Sequence, residues 1–500
     1  MGLTEYLLKH LAKKEYSRSI KKESKAIELQ DKTFKKIISL GKGSLFAKNN
    51  GIYSNMSYHK FNKSVSIGDY EGLRPYIEKI SKGFENVLTK EKVKYFAVTS
   101  GTTSGAKYIP LTSRMMSYQT SAVKSLLLLY AHQTGYYNFS DSKMMFIQGS
   151  PELNYYNNVP FGKLSGITAH HIPFYLKKNR MPSMKTNSIK PWSKKIAAIV
   201  EETHNENLEI IGGIPPWVIT YFEALLKKTK QNNVKSVFKN LSLYIHGGTD
   251  FSVYKKAFFN LCGEIDTLEV FPASEGFFAY QNNLKEIDLL LLTDNGVFYE
   301  FIELNDYNDN KLCRIPLEDI QLHINYVMIV STVSGLWSYN TGDTIRFTSK
   351  NPYRILFSGR ASQYCSAFGE HVIEKEVNTA INKAIQKFGG SIIEYTVCPK
   401  VLEGAGKSHH EWFVEFGNRP DKLIEFSFYL NSIVEEQNIY YKDLVRSNVI
   451  GPLKINLVEK GGFIEYMKSI GKFGGQNKCP HLSNGREIGD FLYKKHVEKR

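Results

Sequence analysis

The sequence predicts an α/β protein, with a large N-terminal domain of mixed sheets and a small, mobile α+β C-terminal domain. Three observations carry this. Residues 143–300 alternate short apolar runs with longer periodic stretches, the pattern of strands and helices around a substantially parallel sheet. Residues 288–358 bring strand-like runs with turns between them, which reads as antiparallel β structure. After Arg360 the rhythm becomes helix, strand, strand, helix, which suits a separate unit. A chain of 500 residues also exceeds one ordinary core. The expected domains are 1–361 and 366–500, with the boundary near Gly359–Ser366.

Taken in order, residues 3–47 read as basic helices, with Leu3, Leu7, Leu8 and Leu11 on one face. Packing within the protein is favoured over membrane binding for them. A turn is expected at Tyr70-Glu-Gly72, then Pro75 and a short helix from Tyr76 to Phe84. A strand is expected at Lys94–Thr99 and a long helix from Ser113 to Gln133. Further strands are expected at Met144–Gly149, Leu208–Gly213, Leu241–Ile245 and Thr267–Phe271. Helices are expected at Trp192–Asn205, Pro216–Lys228 and Ser252–Leu261. Gly247-Gly248-Thr249 and Pro272-Ala-Ser-Glu275 fall at strand C-terminal ends, where α/β sheets place their ligands. The antiparallel strands are Leu289–Thr293, Val297–Leu304, Tyr326–Thr332 and Thr344–Phe347. The second domain should hold helices over 368–387 and 420–436 and strands over 392–397 and 411–416.

Composition narrows the class. The chain is 42% hydrophobic and 23% charged, with 31 Tyr and 30 Phe, as expected of a folded globular protein. The net charge of +16 raises the question of a nucleic-acid or membrane partner. The first fifty residues, with 12 Lys/Arg against 5 Asp/Glu, contribute +7 of it, and the rest is scattered, mostly as lysine, with no arginine-rich stripe. A solvated lysine surface around a site for an anionic nucleotide is the simpler reading. The five cysteines form no C-x-x-C pair, so neither a zinc site nor a disulfide framework is suggested. His170-His171 lacks a third ligand and reads as structural. The first residues match neither a secretory nor a myristoylation pattern. The run Leu126–Leu129 is far too short to span a bilayer. A cytoplasmic, monomeric protein with no nucleic-acid partner and no stable membrane association is expected.

The chemistry gathers at Thr99–Thr112, TSGTTSGAKYIPLT. Gly101 and Gly105 permit a tight bend that turns backbone N–H groups inward. Ser100, Thr102, Thr103 and Ser104 add hydroxyl donors, and Lys107 adds a mobile positive charge. That is the material of a phosphate cradle. The spacing differs from the common nucleotide P-loop, which has four residues between its glycines and lysine directly after the second. From composition alone, a cradle and a polar strand-to-helix turn that binds nothing are equally open.

Six further stretches, in order, bring a resemblance into view. They are Asp69-Tyr-Glu-Gly-Leu-Arg-Pro75, Phe271-Pro-Ala-Ser-Glu-Gly276, Gly335-Leu-Trp-Ser-Tyr-Asn-Thr-Gly-Asp343, Phe357-Ser-Gly-Arg360, Phe368-Gly-Glu370 and Gly475-Gln-Asn-Lys-Cys-Pro480. With the 100–110 loop, they resemble the auxin-conjugating acyl-acid amido synthetases of plants and their bacterial relatives. Those enzymes belong to the acyl-adenylate-forming superfamily, with acyl-CoA ligases and luciferases. The resemblance spans roughly residues 30–485. Phe271 stands where the family usually has Tyr, and Ser338 and Asn340 replace two arginines common in plant members.

The resemblance implies a two-step ligase. A carboxylic acid attacks the α-phosphate of ATP, giving an acyl-adenylate and pyrophosphate. An amine, taken to be an amino acid, then displaces AMP to form an amide. It implies ATP contacts from Ser100, Gly101, Thr102, Thr103, Ser104, Gly105, Lys107, Phe271 and Ser274. Glu275 would hold Mg²⁺, Asp343 would accept bonds from the ribose hydroxyls, and Arg360 would act as hinge and ribose or phosphate contact. Lys478 would bring positive charge to the adenylation step. Met116, Gln119 and Val123 on the 113–133 helix are candidate acyl-pocket residues. Two alternatives stay open: a thioester-forming acyl-CoA ligase, and a non-catalytic nucleotide- or nucleic-acid-binding protein.

Overall fold

A computed structural model describes residues 3–100, 106–137, 142–171, 178–190, 192–248, 251–361, 364–365, 368, 370, 372–402, 408–447, 449–471, 478–483 and 485–498. The chain divides into two compact units. The first is 1–248 with 262–356, and the second is 249–261 with 357–500.

The first unit opens on helices α1 (Leu3–Glu23), α2 (Ala26–Gly41), α3 (Leu45–Asn49), α4 (Tyr58–Ser64) and α5 (Tyr70–Ser81). In α2, Ala26, Gln30, Thr33, Phe34, Ile37, Ile38 and Gly41 are buried, a stripe at helical spacing. Helix α5 starts earlier than the sequence suggests. Asp69 caps it by accepting from Gly72 N, so Tyr70-Glu-Gly72 is its first turn and Pro75 lies inside it.

The strands of this unit are β1 (Val93–Ser100), β2 (Ala106–Thr112), β3 (Lys143–Ile147), β4 (Asn154–Tyr156), β5 (Val159–Gly162), β6 (Arg180–Met181), β7 (Leu208–Gly213), β8 (Leu243–Gly247), β9 (Asp266–Pro272), β10 (Phe277–Tyr280), β11 (Leu289–Leu291), β12 (Val297–Glu303), β13 (Ile315–Pro316), β14 (Asn325–Thr332), β15 (Tyr339–Lys350) and β16 (Tyr353–Arg360). The unit boundary falls inside β16. A twelve-stranded sheet runs β13-β12-β14-β15-β16-β11-β10-β9-β8-β7-β3-β6, and a smaller sheet runs β2-β1-β5-β4. Pairing is parallel among β6, β3, β7, β8 and β9 and antiparallel from β9 onward through β10 and β11. The first five residues of β7 are buried without alternation, as a central parallel strand requires.

The hydrophobic core joins α2, the β1–β2 hairpin and strands β12, β14 and β15 through residues such as Phe34, Phe96, Leu111, Phe301, Met328 and Phe347. Buried Gln30 ties α2 to the sheet, donating to Thr293 O (2.7 Å) and Val297 O (2.9 Å) and accepting from Tyr299 N (2.9 Å). Among the described residues, no helix is long and apolar enough to cross a membrane.

The second unit holds β17 (Tyr364–Cys365), β18 (Val372–Ile373) and a sheet of β19 (Ser391–Lys400), β20 (His409–Asn418) and β21 (Lys454–Leu457). Helices Glu374–Phe388 and Leu423–Gln437 accompany them, and Cys398, Phe413, Val458, Phe463, Met467, Cys479, Ile488 and Leu492 form one core. Residues 251–261, which the sequence suggested for the first domain, belong here. Asn382 Nδ2 donates to Ser252 Oγ (2.6 Å), and Lys256 Nζ donates to Gly390 O (3.3 Å).

Candidate active site

The proposed phosphate loop connects two antiparallel strands, with Thr99 opposite Lys107 and Ser100 opposite Ala106. Gly101, Thr102, Thr103, Ser104 and Gly105 lie outside the described residues, as does the side chain of Ser100. The expected strand-to-helix turn is therefore corrected to a hairpin, because Ala106–Thr112 pairs as β2 before the helix begins. Pro110 is tolerated in β2 because that strand is the sheet edge. Thr112 then caps α6 (Ser113–Thr134) by accepting from Met115 N, and Gly135 ends it at φ 70°. Lys107 is half-buried on β2.

Residues 273–276 form a tight turn between β9 and β10. Ala273 N donates to Gly276 O (2.8 Å), and Gly276 N donates to Ala273 O (3.3 Å). The turn carries buried Ser274 and half-buried Glu275. Gln119, buried on α6, donates through Nε2 to Ala273 O at 3.0 Å. Phe271 on β9 meets Phe278 edge-on at 5.2 Å. Of the other α6 candidates, Met116 is embedded in the core, and Val123 is half-buried against the cluster that includes Leu126 and Tyr280.

Asp343 sits within β15, where the sequence suggested a turn after a β run. The register between β14 and β15 shifts there, because Asn340 pairs with Ile329 while Thr344 pairs with Val327. This bulge takes Gly342 to φ 74°, a conformation that favours glycine. It is held by Thr341 Oγ1 donating to Met328 O (2.8 Å) and accepting from Asp343 N (3.1 Å), with Asn340 Oδ1 accepting from Gly342 N (2.9 Å). The 335–343 stretch is also stitched to the residues before α5. Gly68 N donates to Ser338 O (2.9 Å), and Asn340 N donates to Gly68 O (2.8 Å). Strands β10, β11 and β16 separate the strand bearing Asp343 from β9.

Ser338 donates to buried Glu300 (3.0 Å). The cation paired with Glu300 is Arg314, at 2.7 Å, with both side chains almost wholly buried.

In the second unit, Arg360 and Lys478 both act electrostatically on Glu374 at the start of helix Glu374–Phe388. Both are exposed. Burial works against the Glu374 charge, and His481, Lys478 and Arg360 reverse that, holding its carboxyl below the usual range. His481 bonds Glu374 Oε1 through Nδ1 (2.7 Å) and Glu394 Oε1 through Nε2 (3.0 Å). Sequence reasoning missed this ion group, whose members stand 107 and 87 residues apart. The available signal was only a histidine directly after the Gln-x-Lys-x-Pro stretch.

Cys365, Glu370 and His410 also converge, fully buried. His410 Nε2 is 2.7 Å from Glu370 Oε1 and 3.3 Å from Cys365 Sγ. The shorter distance is a hydrogen bond, whereas a nitrogen and an oxygen sharing one tetrahedral zinc stand about 3.3 Å apart. Phe368 N also donates to Glu370 Oε2 (2.8 Å), so the group is a hydrogen-bonded knot.

These elements define an adenylate-forming fold. The solved structure of a GH3.15 acyl acid amido synthetase matches with a TM-score of 0.75 at 17% identity, covering 95% of this chain and 94% of that one. A 2-hydroxyisobutyryl-CoA ligase in the postadenylation state matches at 0.61 and 13% identity, covering 94% and 90%. Family models for the GH3 N-terminal, central and C-terminal domains match residues 16–191, 290–360 and 375–487. The chain belongs to the GH3 family. A probable indole-3-acetic acid-amido synthetase (GH3.1) of Oryza sativa subsp. japonica is 28% identical over 243 residues, 45% of this chain and 40% of that protein. The alignment thus spans well under two thirds of that relative. A jasmonoyl–L-amino acid synthetase (JAR6) of Nicotiana attenuata is 21% identical over 538 residues, 91% of this chain and 90% of that protein.

Proposed function

We propose that this protein uses ATP to activate a carboxylic acid as its acyl-adenylate, releasing pyrophosphate. It then passes the acyl group to the amine of an amino acid, releasing AMP. The observation that most supports this reading is family membership across three consecutive domain models, with Glu275 and Asp343 each on a hydrogen-bonded turn or bulge.

The substrate carboxylate is itself the first nucleophile, so the chain needs no catalytic triad. Its task is to place two anions together and stabilise charge on phosphorus oxygens. The loop at 100–105 and Lys107 serve the phosphates, Phe271 and Ser274 the adenine side, and Asp343 the ribose hydroxyls. Arg360, as a ribose or phosphate contact, and Lys478, in adenylation, are the further cations of this reading. The turn with Ser274 and Glu275 offers oxygen donors, which suits a hard divalent cation. Mg²⁺ held there would neutralise phosphate charge. Met116, Gln119 and Val123 bear on the acyl side through α6. A lysine-rich surface without an arginine stripe favours small-molecule substrates over a nucleic-acid partner, and a cytoplasmic monomer without stable membrane association completes this reading.

The test is Mg²⁺-dependent ATP–pyrophosphate exchange across a panel of aromatic, aliphatic and keto acids, followed by product analysis with amino acids or coenzyme A. Acid-dependent exchange and amide formation are expected. Folded protein that exchanges with no acid would overturn the reading, and thioester in place of amide would redirect its second step.

A further inference from the structure

We propose that His481, clamped between Glu374 and Glu394, positions Lys478 for adenylation, an inference that rests on the activity proposed above. The segment carrying Lys478 is exposed there but tied down immediately afterwards. Val397 N donates to His481 O (2.8 Å), Ser483 N donates to Val397 O (3.0 Å), and Thr396 Oγ1 donates to Pro480 O (2.7 Å). These bonds lay residues 480–483 along β19.

The side chain adds a second attachment, to two different elements. Its ring lies against Tyr395, with centroids 4.2 Å apart and planes at 26°. One nitrogen faces a carboxylate that opens helix Glu374–Phe388, and the other faces a carboxylate on β19. A neutral imidazole donates from one nitrogen only, so both carboxylates are satisfied only by the charged ring. Burial disfavours that charge, but Glu374 and Glu394 outweigh it and lift the pKa to about 10. His481 therefore fixes the chain three residues beyond Lys478 and neutralises much of Glu374. Without its charge, neutralising Glu374 falls to Lys478 and Arg360, whose fields also reach it. The Lys478 ammonium is then drawn towards Glu374 and out of the position that His481 leaves it free to take.

His481→Gln keeps the side chain's approximate length and loses its charge. With the full-length protein, maximal exchange rate should fall about tenfold or more, because small misplacements of a positioned group cost that much. The KM values for ATP and acid should stay within about twofold. In a Lys478→Ala background, His481→Gln should have little further effect. A readout independent of activity is acylation of Lys478 by a small amine-reactive ester, followed by mass spectrometry. Labelling should slow about threefold or more in His481→Gln, as closer ion pairing keeps the amine protonated. Unchanged labelling, or fully additive losses with Lys478→Ala, would overturn the proposal. If His481→Gln does not fold, Glu394→Gln removes one partner and should give the same losses in smaller measure, and no change there would also overturn it. Wild-type protein without exchange but with His481-dependent labelling would sink the proposed activity and leave the positioning intact.

Discussion

Gln119 and Ala273 lie 154 residues apart in sequence, yet the carboxamide of one donates to the carbonyl of the other at 3.0 Å. That bond ties α6 to the turn bearing Ser274 and Glu275. A helix expected to line an acyl pocket thus also braces the turn expected to hold the metal.

Gln119→Leu should therefore have two effects. It removes one bond from a carbonyl that keeps Gly276 N as a partner, so stability should fall by about 0.5–1.5 kcal/mol. The loosened turn should raise the Mg²⁺ concentration for half-maximal exchange severalfold. Urea unfolding and a Mg²⁺ titration measure the two. A stability loss with unchanged Mg²⁺ dependence would mean that the brace does not reach Glu275.

Asp343→Ala should weaken ATP binding without unfolding the protein. Its bulge is held by Thr341, Asn340 and Gly342, so the backbone outlasts loss of the carboxylate. Two charge-assisted bonds at about 1.5–3 kcal/mol each give a loss of at least tenfold. An unchanged ATP dissociation constant in calorimetry would remove Asp343 from the ribose site.

Arg314→Met should cost about 3–5 kcal/mol, because it strands the buried Glu300 carboxylate. Burial already pushes the Glu300 carboxyl above its usual range despite Arg314. Adding Glu300→Gln should recover part of the loss, since the neutral amide no longer needs a cation. Denaturant midpoints for the two single variants and the double variant read this directly. Equal costs for Arg314→Met and the double variant would mean that the charge was not the problem.

The parts of this protein legible in sequence were those set by local periodicity. Strand β7, the α6 helix and the 391–400 strand announce themselves through continuous or periodic apolar runs. Strand β2 did not, because its lysine and proline resemble loop chemistry, and only pairing with β1 makes it a strand. Nor did the bulge at Asp343, which exists because β15 runs three residues, Thr341–Asp343, where β14 runs one. The start of α5 was masked by Pro75, which ordinarily argues against a helix. The site residues were legible as motif letters, but their partners were not. Nothing local to His481 points to Glu374 or Glu394, which meet it only after β19 and helix Glu374–Phe388 pack together.

That ion group also fixes how the second unit responds to pH. In an unfolded chain His481 titrates near 6.5, whereas in the folded unit its pKa is about 10. A raised cationic pKa contributes stability that is complete below the unfolded value and lost as pH climbs through the folded one. Glu374 has the opposite sign. Its carboxyl is held below the reference value of 4.5, so its contribution is present above that value and lost as pH falls through the folded one. The two together give a plateau between about pH 4.5 and 6.5 for this group. Above it, one proton is released per unfolding event, so stability should decline by about 1.4 kcal/mol per pH unit until the slope flattens near pH 10. Hydrogen exchange at β19 amides, followed from pH 6 to pH 10 and corrected for intrinsic rates, measures this locally. In His481→Gln the decline should be much shallower, because the titrating group is gone. An equally steep decline in that variant would assign the pH dependence to other groups and show that His481 is not the proton released.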